Sequence, residues 1–211
     1  MTRDAQQEQR DIKERAGAGS VWERSRMLAK REILETAFRL FTGQGFEETT
    51  IAQIAREAGV SQRTLFRYFG TKEDLVLGDH AEYGRLLQAA LESRPADERP
   101  WTALRAAFAS LAASLPYSPE DILKIASLLD TSPSLRARQL ERRQQWTDLL
   151  VPDITRRLDA PSDPMTQVRA QALVTCALAC SEIAVDAWGR SNGTVDLERA
   201  YDAAVAAVRA D

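Results

Sequence analysis

Apolar residues recur along most of the chain at intervals of three and four positions, the spacing that places side chains on one face of a helix. No stretch shows the two-residue alternation of a half-buried strand. The first periodic stretch covers residues 22–42 and stops at Gly43 and Gly45. Later stretches, separated mainly by prolines, predict helices over residues 101–115, 119–130, 134–158, 164–190 and 195–209. The pattern therefore predicts an all-α fold.

Two short helices are predicted between the first periodic stretch and a longer fourth helix. Thr50, with Gln53 three residues later, has the pattern of a capping box at the start of the first short helix. Ser61 caps the second short helix, which runs to about Phe69. The connection Ala-Gly-Val-Ser contains Gly59, which tolerates the positive φ of a tight turn. Two short helices joined in this way are typical of a helix-turn-helix, whose second helix enters the major groove of DNA.

The second short helix has an apolar side and a basic side. With about 100° of rotation per residue, Leu65 and Phe69 mark the buried side, and Arg63 and Arg67 project roughly opposite to them. An arginine fork can bind both acceptors on the major-groove edge of guanine. The side chains predicted to contact bases are Gln62, Arg63, Thr64 and Arg67. The alternative is that these arginines are only solvated, as exposed arginines commonly are.

Phosphate contacts are predicted at the amino ends of helices and in the segment that leads into the first helix, because free N–H groups and cationic side chains attract anions. The predicted set is Arg24, Arg26, Lys30, Thr50, Ser61, Tyr68 and Lys72. The distribution of charge along the chain supports this prediction, because positive charge is in excess in the amino-terminal part. Residues 21–72 carry nine Lys/Arg and six Asp/Glu, whereas the residues from 73 onward carry 15 and 21. The net charge of −3 for the whole chain therefore conceals a basic amino-terminal part.

Residues 27–76 resemble the amino-terminal domain of the TetR family of one-component repressors. The resemblance is carried by the sequence ILETAFRLFTGQGFEETTIAQIAREAGVSQRTLFRYFGTKEDLV. It implies a dimer that represses transcription at a palindromic operator and a variable helical body that often binds a small effector. Two positions depart from the pattern of many members, since Phe66 stands where tyrosine is common and Tyr68 where histidine is common. Phe66 has no hydroxyl to offer a phosphate.

The predicted organisation has three parts. Residues 1–21 are polar, end in Ala-Gly-Ala-Gly-Ser and are predicted to be a flexible arm. Residues 22–70 form a three-helix DNA-binding domain that contains the helix-turn-helix. Residues 71–211 form a helical-bundle body for effector binding and dimerisation, which starts with one long fourth helix over residues 71–93.

Two functions are predicted within this body. The last two helices are rich in small residues, namely Ala170, Ala177, Ala184, Ala187, Ala203, Ala204 and Ala207. Small side chains allow close packing with a second copy, so a homodimer through these two helices is predicted, with internal packing as the alternative. An effector pocket is predicted between helices. Its candidate wall residues are Trp101, Phe108, Trp146, Leu149, Cys176 and Cys180, each of which has core packing as the alternative role.

Other chemistries find little support in the sequence. His80 is the only histidine, and with Asp79 and Glu82 it makes no convincing metal set, so neither a metal nor a cofactor is predicted. There is no nucleophile elbow or Gly-rich phosphate loop, so an enzyme is not expected. Cys176 and Cys180 lie four residues apart on one predicted helix, and a reduced, cytoplasmic protein is expected. No apolar stretch is expected to reach the roughly 20 residues of a membrane span, so no membrane partner is predicted.

Three alternative functions stay open on the residues alone. A regulator of the same fold can activate transcription rather than repress it. A helix-turn-helix can also mediate protein contacts in a helical ligand-binding or scaffold protein that does not bind DNA. A helical enzyme is the third alternative, and it would need a convergent cluster of carboxylates or histidines.

Overall fold

The computed structural model of the chain describes residues 26–115, 117–159 and 163–209. Within these residues all regular secondary structure is helical and no strand occurs, which confirms the all-α fold. The chain divides into two compact units, Met1–Gly70 and Thr71–Asp211.

The described part of the first unit consists of three helices around one apolar centre. Helix α1 covers residues 26–44, α2 covers Ile51–Glu57 and α3 covers Gln62–Phe69. Side chains from all three helices are almost completely buried, namely Ile33, Ala37, Phe41, Ile54, Ala55 and Leu65. Removal of this apolar surface from water is what holds the three helices together. The predicted arm, residues 1–21, lies outside the described residues.

Short polar side chains begin α2 and α3, as predicted, but the capping box predicted for Thr50 and Gln53 is wrong, because the Gln53 side chain bonds Gln44 instead. The Thr50 hydroxyl accepts a hydrogen bond from the Gln53 N–H at 3.2 Å, and the Ser61 hydroxyl accepts one from the Thr64 N–H at 3.1 Å. Between the two helices Gly59 has a φ of +67°, a conformation that residues with a Cβ rarely adopt. These local contacts fix the direction in which α3 leaves the turn.

The predicted fourth helix is two helices, so the prediction of one continuous helix over residues 71–93 is wrong. Helix α4 covers Asp74–Leu77 and α5 covers His80–Glu92. Gly78 has a φ of +75°, and the Asp79 carboxylate accepts hydrogen bonds at 3.0 Å from two N–H groups in the first turn of α5. A left-handed residue followed by an N-cap ends one helix and begins another.

Further helices complete the described part of the second unit: α6 Pro100–Ser114, α7 Pro119–Thr131, α8 Pro133–Arg157, α9 Pro164–Arg190 and α10 Leu197–Arg209. Proline opens α6 to α9, where its missing N–H is not needed and its φ suits the helix. The main core lies where α5, α6, α8 and α9 pack together, and its largest buried members include Leu87, Leu91, Leu104, Leu150 and Ile154. A smaller cluster joins α9 to α10 through Cys180, Ala184 and Tyr201.

Helix α9 corrects two expectations. By length and composition it is apolar enough to cross a membrane, with a third of its most apolar stretch buried inside the structure, so the expectation that no segment reaches that length and apolarity is wrong. Its inward side chains, among them Ala170, Ala177 and Ala184, lie in the two cores of the unit. These three alanines therefore have an internal packing role rather than contact with a second copy.

Candidate DNA interface and effector site

Helix α3 presents polar and basic side chains to solvent. Leu65 is fully buried, while Gln62, Arg63 and Arg67 are exposed. No acidic residue occurs between positions 57 and 73. All charged side chains of α3 and of the turn before it are therefore positive. Three of the four predicted base-contacting side chains are thus accessible on a helix that follows a capped turn. A positive surface of this kind attracts the phosphates of a duplex.

Thr64, the fourth predicted base-contacting residue, is half-buried, and its polar groups are engaged. Its hydroxyl lies 2.9 Å from the Ser61 hydroxyl, and its N–H donates to the same oxygen. The start of α3 therefore uses the N–H of Thr64 and one hydrogen bond of its hydroxyl, and its methyl group is available for an apolar contact. Phe66 is exposed and is a second apolar group able to contact a thymine methyl.

A group of cations and aromatic rings, here named the basic–aromatic cluster, links α1 to the end of α3. Its members are Arg26, Lys30, Arg67, Tyr68 and Phe69. The guanidinium carbons of Arg26 and Arg67 lie 5.8 and 5.2 Å from the centroid of the Tyr68 ring, and Lys30 Nζ lies 5.9 Å from that of Phe69. Such contacts stabilise by about 0.5–1 kcal/mol at exposed sites. They hold the cationic groups in place without neutralising them, because the rings carry no charge.

Three residues predicted to contact phosphate belong to the basic–aromatic cluster, namely Arg26, Lys30 and Tyr68. The hydroxyls of Thr50 and Ser61 act as caps, so the remaining N–H groups of those helix starts are the donors left for phosphate. Lys72 precedes α4 in the second unit. Arg24 lies outside the described residues. The DNA contacts of all these residues stay predictions.

Two of the residues predicted to line an effector pocket, Trp146 and Leu149 of α8, border a cavity of about 480 Å³ together with His80 of α5. The Trp146 indole N–H donates to the His80 carbonyl at 3.0 Å and so fixes the indole against α5. Gly84 permits this close approach, because a Cβ there would stand 3.0 Å from both the Trp146 and the Leu149 side chains. The cavity is largely open to solvent, and Arg85, Gln145 and Asp148 also line it.

The other four predicted pocket residues do not border this cavity. Trp101 and Phe108 pack, partly buried, against the main core, and Phe108 also contacts the smaller cluster. Cys180 is buried in the smaller cluster, where burial raises the pKa of its thiol, and Cys176 is partly buried one turn earlier. Their role as pocket walls stays a prediction.

Polar side chains gather on the elements around Trp146, and they are here named the polar cluster: His80, Tyr83, Tyr117, Arg142 and Glu182. Burial lowers the pKa of His80 to about 4 and raises the pKa values of Tyr83, Tyr117 and Glu182. In all four groups the charge of Arg142 acts to lower the pKa, so Arg142 lies within electrostatic range of each. The sequence alone gives no signal for this cluster, because its members come from different elements.

Two parts of the sequence each match a known protein family. Residues 33–78 match the bacterial regulatory proteins of the tetR family, and residues 98–211, more than half of the chain, match the MftR C-terminal domain. TcmR of Streptomyces glaucescens, an HTH-type transcriptional regulator, is 33% identical over 132 residues, which cover 60% of this chain and 58% of TcmR. MftR of Mycobacterium tuberculosis H37Rv, a regulator assigned to mycofactocin biosynthesis, is 30% identical over 162 residues, which cover 75% of this chain and 81% of MftR.

A solved structure shares the fold. FadR of Bacillus subtilis, a transcriptional regulator crystallised with stearoyl-CoA, has a TM-score of 0.52 at 16% identity, with 83% of this chain and 95% of that chain covered. The helix-turn-helix, its accessible basic helix and these relatives define the class of the protein as a helix-turn-helix transcriptional regulator. Within this class, the chain belongs to the TetR family of bacterial regulators, which confirms the resemblance.

Proposed function

We propose that the protein is an effector-responsive repressor that binds a palindromic operator as a homodimer. The observation that carries the proposal is the accessible basic side of α3, on which Arg63 and Arg67 are exposed and no acid intervenes. Such a helix in the major groove places arginine forks at base edges, while the basic–aromatic cluster supplies cations for the phosphate backbone. Occupation of a promoter by the dimer then blocks transcription.

Selection of bound duplexes from a random pool supplies the operator for the test. Arg63→Ala and Arg67→Ala are each expected to weaken operator binding by about 1–3 kcal/mol with little change on random DNA, because each removes a base contact. Arg31→Ala is the matched control, since Arg31 is exposed on α1 and pairs with Glu35 one turn away at 2.8 Å. Its operator affinity is expected to equal that of the wild type.

The same measurements separate the alternative functions. Equal losses on operator and random DNA would assign the two arginines to phosphate binding. Absence of any salt-sensitive preference among duplexes would overturn the DNA-binding proposal and favour a scaffold role. In a promoter fusion that carries the operator, the wild type is expected to lower expression and Arg63→Ala to restore it. Higher expression with the wild type would identify an activator.

Dimerisation is supported by the outward side of α9. A stripe at helical spacing consists of small, apolar or uncharged side chains that are exposed or partly exposed, namely Val168, Ala172, Thr175, Ala179 and Ile183. On α10, Ala203 and Ala207 are also exposed. A second copy related by a two-fold axis would cover this surface in a four-helix bundle. Most dimers have this two-fold symmetry, in which the same surface of each copy forms the contact.

Effector binding is supported by the cavity beside Trp146 and by the polar cluster. In Bacillus subtilis FadR the same fold accommodates stearoyl-CoA. An effector in the second unit releases DNA only if it binds more tightly to the conformation with low operator affinity. Titration of the effector against the operator complex measures this coupling directly.

A further inference from the structure

We infer that Phe66 contacts the C5-methyl group of a thymine and so makes α3 specific for thymine at one base pair in each half of the operator. The inference rests on the proposed function and deepens it, because it assigns a base to a side chain other than the two arginines. It is carried by an apolar ring that is exposed on an otherwise polar and basic surface.

Phe66 is 47% exposed in the middle of α3 and is the most exposed apolar side chain of this helix. Leu65, the preceding residue, is fully buried and supplies the contact of α3 with the apolar centre of the first unit. Packing within the unit therefore does not account for the exposed part of the Phe66 ring. Single exposed apolar residues are common on protein surfaces, so the position of this one on the helix decides its role.

The position of Phe66 is beside Arg63. With about 100° of rotation per residue, the two side chains project about 60° apart and are neighbours on the helix surface. The guanidinium carbon of Arg67 lies 5.2 Å from the centroid of the Tyr68 ring, which projects from nearly the opposite side of α3 to Phe66. The cation beside Phe66 is therefore Arg63. A guanine bound by Arg63 and a base contacted by Phe66 are expected to be neighbours in the operator.

The chemistry of the phenyl ring selects the base. It has no hydrogen-bond donor or acceptor, and the C5-methyl group of thymine is the apolar group that the four bases present in the major groove. Contact between ring and methyl removes apolar surface of both from water. Thr64, which also has a methyl group, is half-buried on the other side of the two arginines. Phe66 is thus the more accessible apolar group for this contact.

The test uses the selected operator, with each thymine of a half-site replaced in turn by deoxyuridine. This replacement removes the C5-methyl group and leaves the hydrogen-bonding groups of the base unchanged. At one thymine, next to the guanine at which Arg63→Ala loses its preference, the replacement is expected to weaken binding of the full-length wild type. The expected loss is about fourfold for each half-site, the ratio equivalent to burial of one apolar carbon group.

Variants assign the effect to the ring. Phe66→Ala is expected to bind the thymine and deoxyuridine operators equally, and Phe66→Leu is expected to retain part of the preference because it keeps an apolar side chain. Leu86→Ala is the matched control, since Leu86 is 43% exposed on α5 in the second unit. Its preference for the thymine operator is expected to stay fourfold. The melting temperature of Phe66→Ala is expected to stay close to that of the wild type, because the ring is half exposed.

Deoxyuridine without effect at every thymine, or an undiminished preference in Phe66→Ala, would overturn the inference. So would a loss of preference in Leu86→Ala, because the preference would then not depend on a contact made by α3. Failure of the proposed function has a different signature, in which the selection yields no preferred duplex at all. A preferred duplex that tolerates deoxyuridine at every position would count against the Phe66 contact alone.

Discussion

His80 lies inside the second unit, and its pKa is lowered from 6.5 to about 4 by burial and by the charges of Arg142 and Arg138, while Asp74 and Asp79 act in the opposite direction. The unfolded chain therefore binds a proton, as the pH falls from 6.5 towards 4, that the folded chain does not bind. The stability that comes from the neutral imidazole is complete above pH 6.5 and is lost as the pH falls through this window.

Between pH 7 and pH 5 the wild type is expected to lose about 2 kcal/mol more unfolding free energy than His80→Met. The variant removes the ring and keeps the backbone carbonyl that accepts the hydrogen bond from Trp146. Urea denaturation at the two pH values measures the difference. An equal loss in wild type and variant would show that the imidazole titrates at its ordinary pKa in the folded chain.

The buried and exposed positions of α3 were predictable, because the direction of each side chain around a helix depends only on its place in the local sequence. Leu65 is buried and Arg63 and Arg67 are exposed, as 100° per residue requires. The environment of His80 was not predictable in the same way. Its carbonyl meets an indole 66 residues later in the chain, and only the packing of α5 against α8 brings the two together.

The carboxyl end of α5 is held by a side chain of α8. Arg157 is 4% exposed, donates to the carbonyls of Leu91 and Arg94 at 2.8 and 3.3 Å and to that of Pro95, and pairs with Asp153 at 2.6 Å. The Leu91 and Pro95 carbonyls also accept backbone hydrogen bonds at 3.1 Å, so the guanidinium adds a second donor to these two and also binds the Arg94 carbonyl.

Arg157→Met is expected to lower the unfolding free energy by about 3 kcal/mol, because it removes a buried cation from the buried Asp153 carboxylate and a hydrogen-bond donor from three carbonyls. Arg156→Met is the control. Arg156 pairs with the same Asp153 at 2.6 Å but is 62% exposed, so its loss is expected to cost about 1 kcal/mol or less. Urea denaturation compares them, and losses of equal size would contradict the capping role of Arg157.

Helix starts were predictable where the signal is a nearby side chain, as at Thr50 and Ser61. The break between α4 and α5 was missed, although Gly78 and Asp79 are both visible in the sequence. Apolar residues at helical spacing continue across the break. This spacing alone does not show that one residue with a positive φ, Gly78, separates two helices.

At the scale of the whole molecule, the exposed stripe on α9 predicts the oligomeric state. Ile183→Glu is expected to convert a dimer into a monomer, because a carboxylate would be buried in the contact between copies. Leu140→Glu on α8 is the control, since Leu140 is 56% exposed against 55% for Ile183 and lies outside the stripe. Light scattering coupled to size-exclusion chromatography measures the mass. A monomeric wild type, or a dimeric Ile183→Glu, would count against this interface.

Gly70 and Thr71, a residue type that ends helices followed by one that caps them, are visible in the sequence at the boundary between the two compact units. The abundance of alanine in α9 and α10 was also visible in the sequence. Which of these alanines face the interior of the unit was not. Ala170, Ala177 and Ala184 face inward. Composition states how many small residues a helix has, whereas the neighbouring helices decide which of them remain exposed.

The bend at Gly78 has a consequence for divergence within the family. A Cβ at this position would stand 2.2 Å from Cε2 of Tyr83 and 2.7 Å from its hydroxyl oxygen, so the phenol occupies the space that any other residue would need. A lineage that replaced the glycine would have to displace the ring and with it the partner of Tyr117. Positions 78 and 83 are thus constrained to change together.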